Sequence, residues 1–403
     1  MAERRRGVDS RAAVSVQSRS ADVPLNSIIR HFESLPDPRH HRNRRHLLGD
    51  VITLAVCGVI VGCDGPTAIA AWARAKQDWL REMLELPNGI PSRDCIRRVL
   101  SLLKPETFQR CFESWIASLV GETTGVDTEP QRLIAIDGKT ARRSHDARNG
   151  LGPLHLVSAW ATENGLSLGQ LATDEKSNEI TVIPELIDRI DVKGAIVTID
   201  AMGCQKDIAQ KIVDGQGDYV LAVKDNQPKL HAAIQEFFSD EGQAELSKLP
   251  HRQHQTCEQG HGRRDQRYYV LARLPADFPL KDEWPDIRAI GTAVRVTEKS
   301  DGATSGDVRY FISSCYPSGA RFAQAVRGHW GIENSLHWVL DVTFDEDHSR
   351  TRNRRMTDNL SWLRRFAISL LKRHTSKDSI KCKSRIAGWS NQFLMEVITG
   401  KGV

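Results

Sequence analysis

The chain has 403 residues, 40% hydrophobic and 27% charged, with eight cysteines and a formal net charge of +5. That length allows two or three domains with real cores, and the composition excludes a small disulfide-framed module or a wholly disordered chain. The charge is uneven: residues 349–403 carry thirteen Lys/Arg against three Asp/Glu, residues 1–46 carry ten against five, and the middle sums to −10. Basic ends around an acidic centre suit a polyanionic partner, although a solvated basic tail gives the same count.

Residues 1–24 are rich in Arg, Ser and Ala without an apolar segment, which reads as a disordered basic tail and excludes a secretory signal. Residues 25–122 read as a helical domain. The apolar run at 47–61 is a buried helix, too short for a membrane span and interrupted by Asp50. No membrane partner is expected, and the location is read as cytoplasmic and nucleoid-associated. Pro66 opens a helix running to about Glu85, which Pro87-Asn88-Gly89-Ile90-Pro91 breaks. Ser92 is the N-cap of a helix over 93–103, and Pro105 begins the next. Two helices joined by a tight turn, the second bearing Arg93, Arg97 and Arg98, fit an ordinary helix pair or a DNA-reading helix-turn-helix. The cluster at 39–46, with Arg42, Arg44 and Arg45, is a stronger phosphate-binding candidate; its alternative is a solvated loop. The cysteines form no CxxC pair and read as core residues in a reducing compartment.

Near residue 131 the pattern changes to strands. Residues 133–136 form a short buried strand ending in Asp137-Gly138. Two more, at 154–161 and 166–172, are joined through Asn164-Gly165, a hairpin signal. An amphipathic helix over 180–190, a buried strand over 194–199 ending in Asp200, a helix over 204–214 and a strand over 219–223 follow. A hairpin followed by strand–helix–strand predicts a mixed sheet with helices packed on it, in the order of a ribonuclease-H-like fold. A β-rich insertion is expected over about 225–315, with strand-like pieces at 268–272, 287–296 and 309–313. Helix returns from 319 to 340 and again over about 357–373. Residues 374–403 read as a basic C-terminal tail. The fold class is thus α/β, a ribonuclease-H-like core over 131–373 preceded by a helical domain.

Two apolar strands each end in a lone aspartate, Asp137 and Asp200. The carboxyl ends of strands in open α/β sheets form the crevice where ligands bind, and Gly138 allows close approach to the backbone there. Two carboxylates held together resist ionising unless a cation lies between them, and an oxygen-only pair fits Mg²⁺. Either aspartate alone is equally a strand-ending turn cap. A third acid is expected from the late helix, where Glu333, His337 and Asp341 fall at i, i+4 and i+8 on one face between tryptophans. Asp341 and Asp347 are the alternatives to Glu333. Gly138-Lys139-Thr140 is not a nucleotide-binding loop, because Leu133 stands where its first glycine belongs.

The stretches 133–140 (LIAIDGKT), 174–180 (DEKSNEI), 196–209 (IVTIDAMGCQKDIA), 218–227 (DYVLAVKDNQ), 261–267 (HGRRDQR) and 329–347 together resemble the ISAs-type, or H-repeat-associated, insertion-sequence transposases of the larger DDE group. Leu35-Pro36-Asp37-Pro38-Arg39 and Ile90-Pro91-Ser92 resemble their amino-terminal domain, and the likeness runs from about residue 27 to 373. The resemblance implies a ribonuclease-H-like catalytic core, DNA transposition, and two Mg²⁺ or Mn²⁺ ions on Asp137, Asp200 and Glu333, with Asp137 bridging both. The third-acid helix departs from the wider group, with Val326, His329 and Leu340 in its Tyr, Arg and Lys slots; Arg327 and His337 are the expected replacements at phosphate. Lys139, Arg142, Arg143, Lys224, Asn226 and Arg263 complete the DNA-binding candidates. The partners implied are terminal inverted repeats and target DNA, held by a homodimer on paired ends. The competing readings are an inactive transposase-derived DNA-binding protein and a Mg²⁺-dependent nuclease that cuts without joining.

Overall fold

The structure is a computed structural model that describes residues 29–120, 131–146, 149–173, 178–260 and 262–400. The tail expected over 1–24 lies outside the described residues. The amino-terminal part is helical: α1 (Leu48–Ile60), α2 (Pro66–Ala75), α3 (Gln77–Arg81), α4 (Arg93–Leu102) and α5 (Pro105–Val120). Every residue of α1 from Asp50 to Ile60 is buried, as a helix apolar on all sides demands. The single long helix expected after Pro66 is two short ones. Ser92 Oγ caps α4 by accepting from Cys95 N at 3.2 Å. Gly58 lets α2 lie directly on α1, since a Cβ there would sit 2.9 Å from Ile69 Cγ1.

The strands are β1 (Leu133–Ala141), β2 (Leu154–Ala161), β3 (Leu166–Ala172), β4 (Ile196–Ile199), β5 (Asp218–Val223), β6 (His251–Gly260), β7 (Arg263–Arg273), β8 (Ala289–Lys299) and β9 (Thr304–Ser313). They form one sheet in the order β3-β2-β1-β4-β5-β9-β8-β7-β6. β1, β4 and β5 are parallel, while β2 runs antiparallel beside β1 and β3 antiparallel beside β2. This is the ribonuclease-H-like arrangement. α6 (Glu179–Arg189) and α7 (Lys206–Asp214) cover one face, where Ile134, Ile136 and Val197 meet Ile183, Leu186 and Ile208. On the other face Leu133, Ile196 and Val220 pack on α10 (Gly319–Ile332). Ala135 and Trp160 join the core of α12 (Arg354–Arg373) and the amino-terminal helices.

Three expectations change. β1 does not end at Asp137: its parallel pairing with β4 stops at Ile136↔Ile199, but its pairing with β2 continues to Ala141↔Leu154. The insertion opens with helices α8 (Pro228–Phe237) and α9 (Gln243–Lys248) before its strands. Those strands continue the core sheet, because β9 pairs with β5 up to Val223↔Tyr310. Thr304 to Arg309 of β9 run on beyond that pair, so at about 3.3 Å per residue the insertion projects roughly 20 Å past the carboxyl ends of the parallel strands. Residues after 373 form α13 (Ile380–Trp389) and α14 (Asn391–Thr399), whose Leu394, Val397 and Ile398 are buried. Lys383 of this segment donates to the carbonyls of Leu371 and His374, at 3.0 and 2.7 Å, and so caps α12.

Candidate active site

Asp137 and Asp200 each follow the last paired row of two neighbouring parallel strands, Ile136↔Ile199. Adjacent strands lie about 4.8 Å apart, so the register sets the two backbones side by side at one edge. The third element reaches this edge from far along the chain. α10 passes into a π-helical turn, Glu333–His337, and then α11 (Trp338–Val342). Such turns occur often at functional sites. His337 Nδ1 lies 3.5 Å from Asp137 Oδ2. Lys139 Nζ lies 2.8 Å from Asp341 Oδ1 and 3.3 Å from Asp347 Oδ1. Asp137 and Lys139 share one side of β1, so the stripe seen in the sequence runs along that strand.

Burial pushes the Asp137 carboxyl up to about 7, and the charges of Glu179, Asp200 and Glu333 push the same way. The three acids therefore converge enough for their charges to meet. Among the described residues, however, no three His, Cys, Asp or Glu side chains lie close enough to hold a metal ion. The donor set nonetheless suits a divalent cation: a buried carboxylate surrounded by other carboxylates is the environment a hard oxygen-seeking ion relieves.

The sequence candidates take different places. Lys139 is almost fully buried in its pairs with Asp341 and Asp347, so it ties β1 to the late helix. Arg142 is exposed and pairs with Asp347 at 3.3 Å, and Arg143 is exposed. Lys224 is exposed on the wall of a cleft of ≈ 400 Å³ that Asp200, Glu333, His329, Arg309 and Trp330 also line. Asn226 Nδ2 donates to the Ala201 carbonyl at 2.6 Å, holding the loops after β4 and β5 together. Arg263 stands at the exposed tip of the β6–β7 hairpin, and Arg327 pairs with Glu258 at 2.5 Å. Burial, then Arg365 and Lys139, push His337 down to about 3. Its place is beside Asp137. Arg44 folds back onto the carbonyls of Arg39 and Asp37, at 2.9 and 3.0 Å, while Arg42 and Arg45 are exposed.

The sequence reading missed the layer beneath. Arg365 Nε donates at 3.1 Å to Ser158 Oγ, and Ser158 is the β2 partner of Asp137 in register. The same guanidinium pairs with buried Glu346 at 3.4 Å. An arginine in the middle of an amphipathic helix gives no sequence sign that it will be buried. His329, read only as the residue in the Arg slot, lines the cleft with its Nδ1 buried without a partner, and Trp330 lines it too, its ring 4.1 Å from the Arg309 guanidinium.

The sheet order, the covering helices and the acids at one strand edge define a ribonuclease-H-like α/β protein. Residues 128–371 match the transposase DDE domain family and residues 29–116 match the domain associated with it, and the chain belongs to this family. The "H repeat-associated putative transposase YhhI" of Escherichia coli (strain K12) is 36% identical over 388 residues, covering 94% of this chain and all of that one. The "Putative transposase YncI" of Escherichia coli O157:H7 is 38% identical over 380 residues, 93% of this chain and 95% of its own. A cryo-EM structure of a piggyBac transposase synaptic complex with hairpin DNA aligns with 95% of this chain and 79% of its own, at a TM-score of 0.38 and 12% identity. Among the described residues no helix is long and apolar enough to cross a membrane.

Proposed function

We propose that this protein is a DNA transposase that cuts the ends of its element and joins the freed 3′-hydroxyl to target DNA. The observation that carries the reading is the convergence on Asp137 of charge from Asp200 and Glu333, residues brought together from two strands and a distant helix. Asp137, Asp200 and Glu333 would hold the cations. Bound there, two Mg²⁺ or Mn²⁺ ions would neutralise the phosphoryl oxygens and lower the barrier for the attacking oxygen. His337, kept neutral by burial, holds Asp137 from the helix side, and the Lys139 pairs fix that helix against β1. Water attacks the element-end phosphodiester first; the released 3′-hydroxyl then attacks a target phosphodiester in line, so no covalent protein–DNA link forms. Exposed Lys224, Arg142 and Arg143 beside the edge, with Arg263 on the projecting insertion and Arg327 on α10, are the contacts for the DNA backbone. Arg42, Arg45 and the exposed arginines of α4 extend that surface to the amino-terminal helices. Pairing of two element ends calls for a homodimer.

The test incubates the full chain with DNA carrying the terminal repeats of its element and Mg²⁺ or Mn²⁺. Specific 3′-end cleavage and joining, abolished in Asp137→Ala, Asp200→Ala and Glu333→Ala, is the expected result. Cleavage without joining would replace the transposase with a nuclease. Activity that survives Glu333→Ala but not Asp341→Ala or Asp347→Ala would move the third acid.

A further inference from the structure

The stretch at 174–180 supplies no residue to the three-acid site, yet its end, Glu179, comes to rest against β1 beside Asp137. Glu179 opens α6, and its Oε1 lies 2.7 Å from His155 Nε2. His155 Nδ1 in turn lies 2.8 Å from Thr140 Oγ1, its cross-strand partner in the β1–β2 register. The chain Thr140–His155–Glu179 therefore fixes the carboxylate from behind. Gly138 makes room for it: a Cβ at that position would overlap the Glu179 carboxylate and lie 2.6 Å from His155 Nε2. A glycine directly after the first catalytic acid thus lets a second carboxylate reach the strand there. Among the described residues, no Lys or Arg forms an ion pair with Glu179; its partner is His155, and the side chain is only 18% exposed. A largely buried carboxylate near Asp137, with no Lys or Arg partner among the described residues, suits a cation from outside the chain.

We infer that Glu179 is a fourth carboxylate of the catalytic centre, acting on the cation that Asp137 holds, with Thr140 and His155 as the residues that position it. This inference rests on the three-acid reading above. It assigns the His155 ring to orientation: its hydrogen bond leaves Glu179 one free oxygen to face the cation, as outer-shell partners of metal ligands do. It also gives Gly138 a role beyond backbone freedom, that of an open passage.

The test measures binding of Mn²⁺ alone to the full chain by electron paramagnetic resonance and calorimetry, with cleavage measured in parallel. Glu179→Gln keeps the shape and a hydrogen bond to His155 while removing the charge. Roughly tenfold or greater weakening of Mn²⁺ binding is expected, with cleavage partly restored by excess Mn²⁺. Gly138→Ala changes no ionisable group but displaces the carboxylate, and should weaken Mn²⁺ in the same way. Thr140→Val, which loosens the relay, should weaken it less. Wild-type Mn²⁺ affinity in both Glu179→Gln and Gly138→Ala would overturn the inference while leaving the three acids standing, provided Asp137→Asn still abolishes binding. If Asp137→Asn also binds Mn²⁺ normally, the three-acid reading fails with it. Circular dichroism of each variant identifies any loss that is only unfolding; should Gly138→Ala not fold, Glu179→Asp, which shortens the reach by one methylene, gives the second measure.

Discussion

Asp137 is ionised at neutral pH only against the surroundings the fold gives it, and that strain is measurable without DNA. Its carboxyl moves from 3.8 to about 7, first through burial and then through Glu179, Asp200 and Glu333. At about 1.4 kcal/mol per unit the shift corresponds to roughly 4 kcal/mol. A carboxyl whose pKa is higher folded than unfolded binds its proton more tightly in the native state. The metal-free protein therefore loses stability as pH climbs from about 4 to about 7, and the loss is complete above that range. Asp137→Asn removes the ionisation with little change of shape. Without metal, the variant should be more stable than wild type at pH 8, by up to about 4 kcal/mol, and the gap should close towards pH 5. Mg²⁺ should stabilise wild type and not the variant. The assay is urea unfolding followed by circular dichroism in chelator-treated buffer, at both pH values and then with Mg²⁺. An Asn variant that is less stable than wild type by a similar margin at pH 5 and pH 8 would refute the account, because it would make Asp137 a structural hydrogen-bonding residue.

Other expectations follow from the layer beneath and from the projecting strands. Arg365→Met leaves Glu346 buried without its closest guanidinium, and should cost about 3–5 kcal/mol of stability; Glu346→Gln in the same chain should recover much of that, and a non-additive cycle in urea unfolding is the check. Lys139→Ala should destabilise the protein by roughly 1–3 kcal/mol at pH 7, since Asp341 and Asp347 lose their shared cation, and by less at pH 3, where Asp341, whose carboxyl burial raises above its ordinary value, takes up a proton; equal losses at the two pH values would count against the pairing. Replacing exposed Arg263 and Arg264 with Ala should weaken DNA binding evenly across sequences. The salt slope should fall by about one for each phosphate the variant no longer neutralises, read by fluorescence anisotropy; an unchanged slope would remove the hairpin tip from the DNA surface.

Much of the fold was legible because its signals are local. β2 and β3 begin and end where the alternation and the Asn164-Gly165 turn put them, and the Ser92 cap and Pro105 start fall where those residue types demand. Two apolar runs followed by Asp137 and Asp200, and a Glu-His-Asp stripe at helical spacing, are signals within short windows. Other features depend on partners distant in the chain. That β1 continues past Asp137 was set by β2, whose pairing outlasts that of β4. The insertion strand β6 carries polar residues on both sides, so alternation is weak, and it is a strand because β7 holds it to the sheet. Lys139 reads as a free basic group, yet Asp341 and Asp347 take it up once the helix lies along β1, and His337 is buried beside Asp137. Composition and pattern thus determined the fold class and the family likeness, and singled out the candidate acids. Tertiary packing alone decided which charges are buried, which are paired and that Glu179 packs against Gly138, because burial and charge pairing are properties of distances between segments that no local window contains.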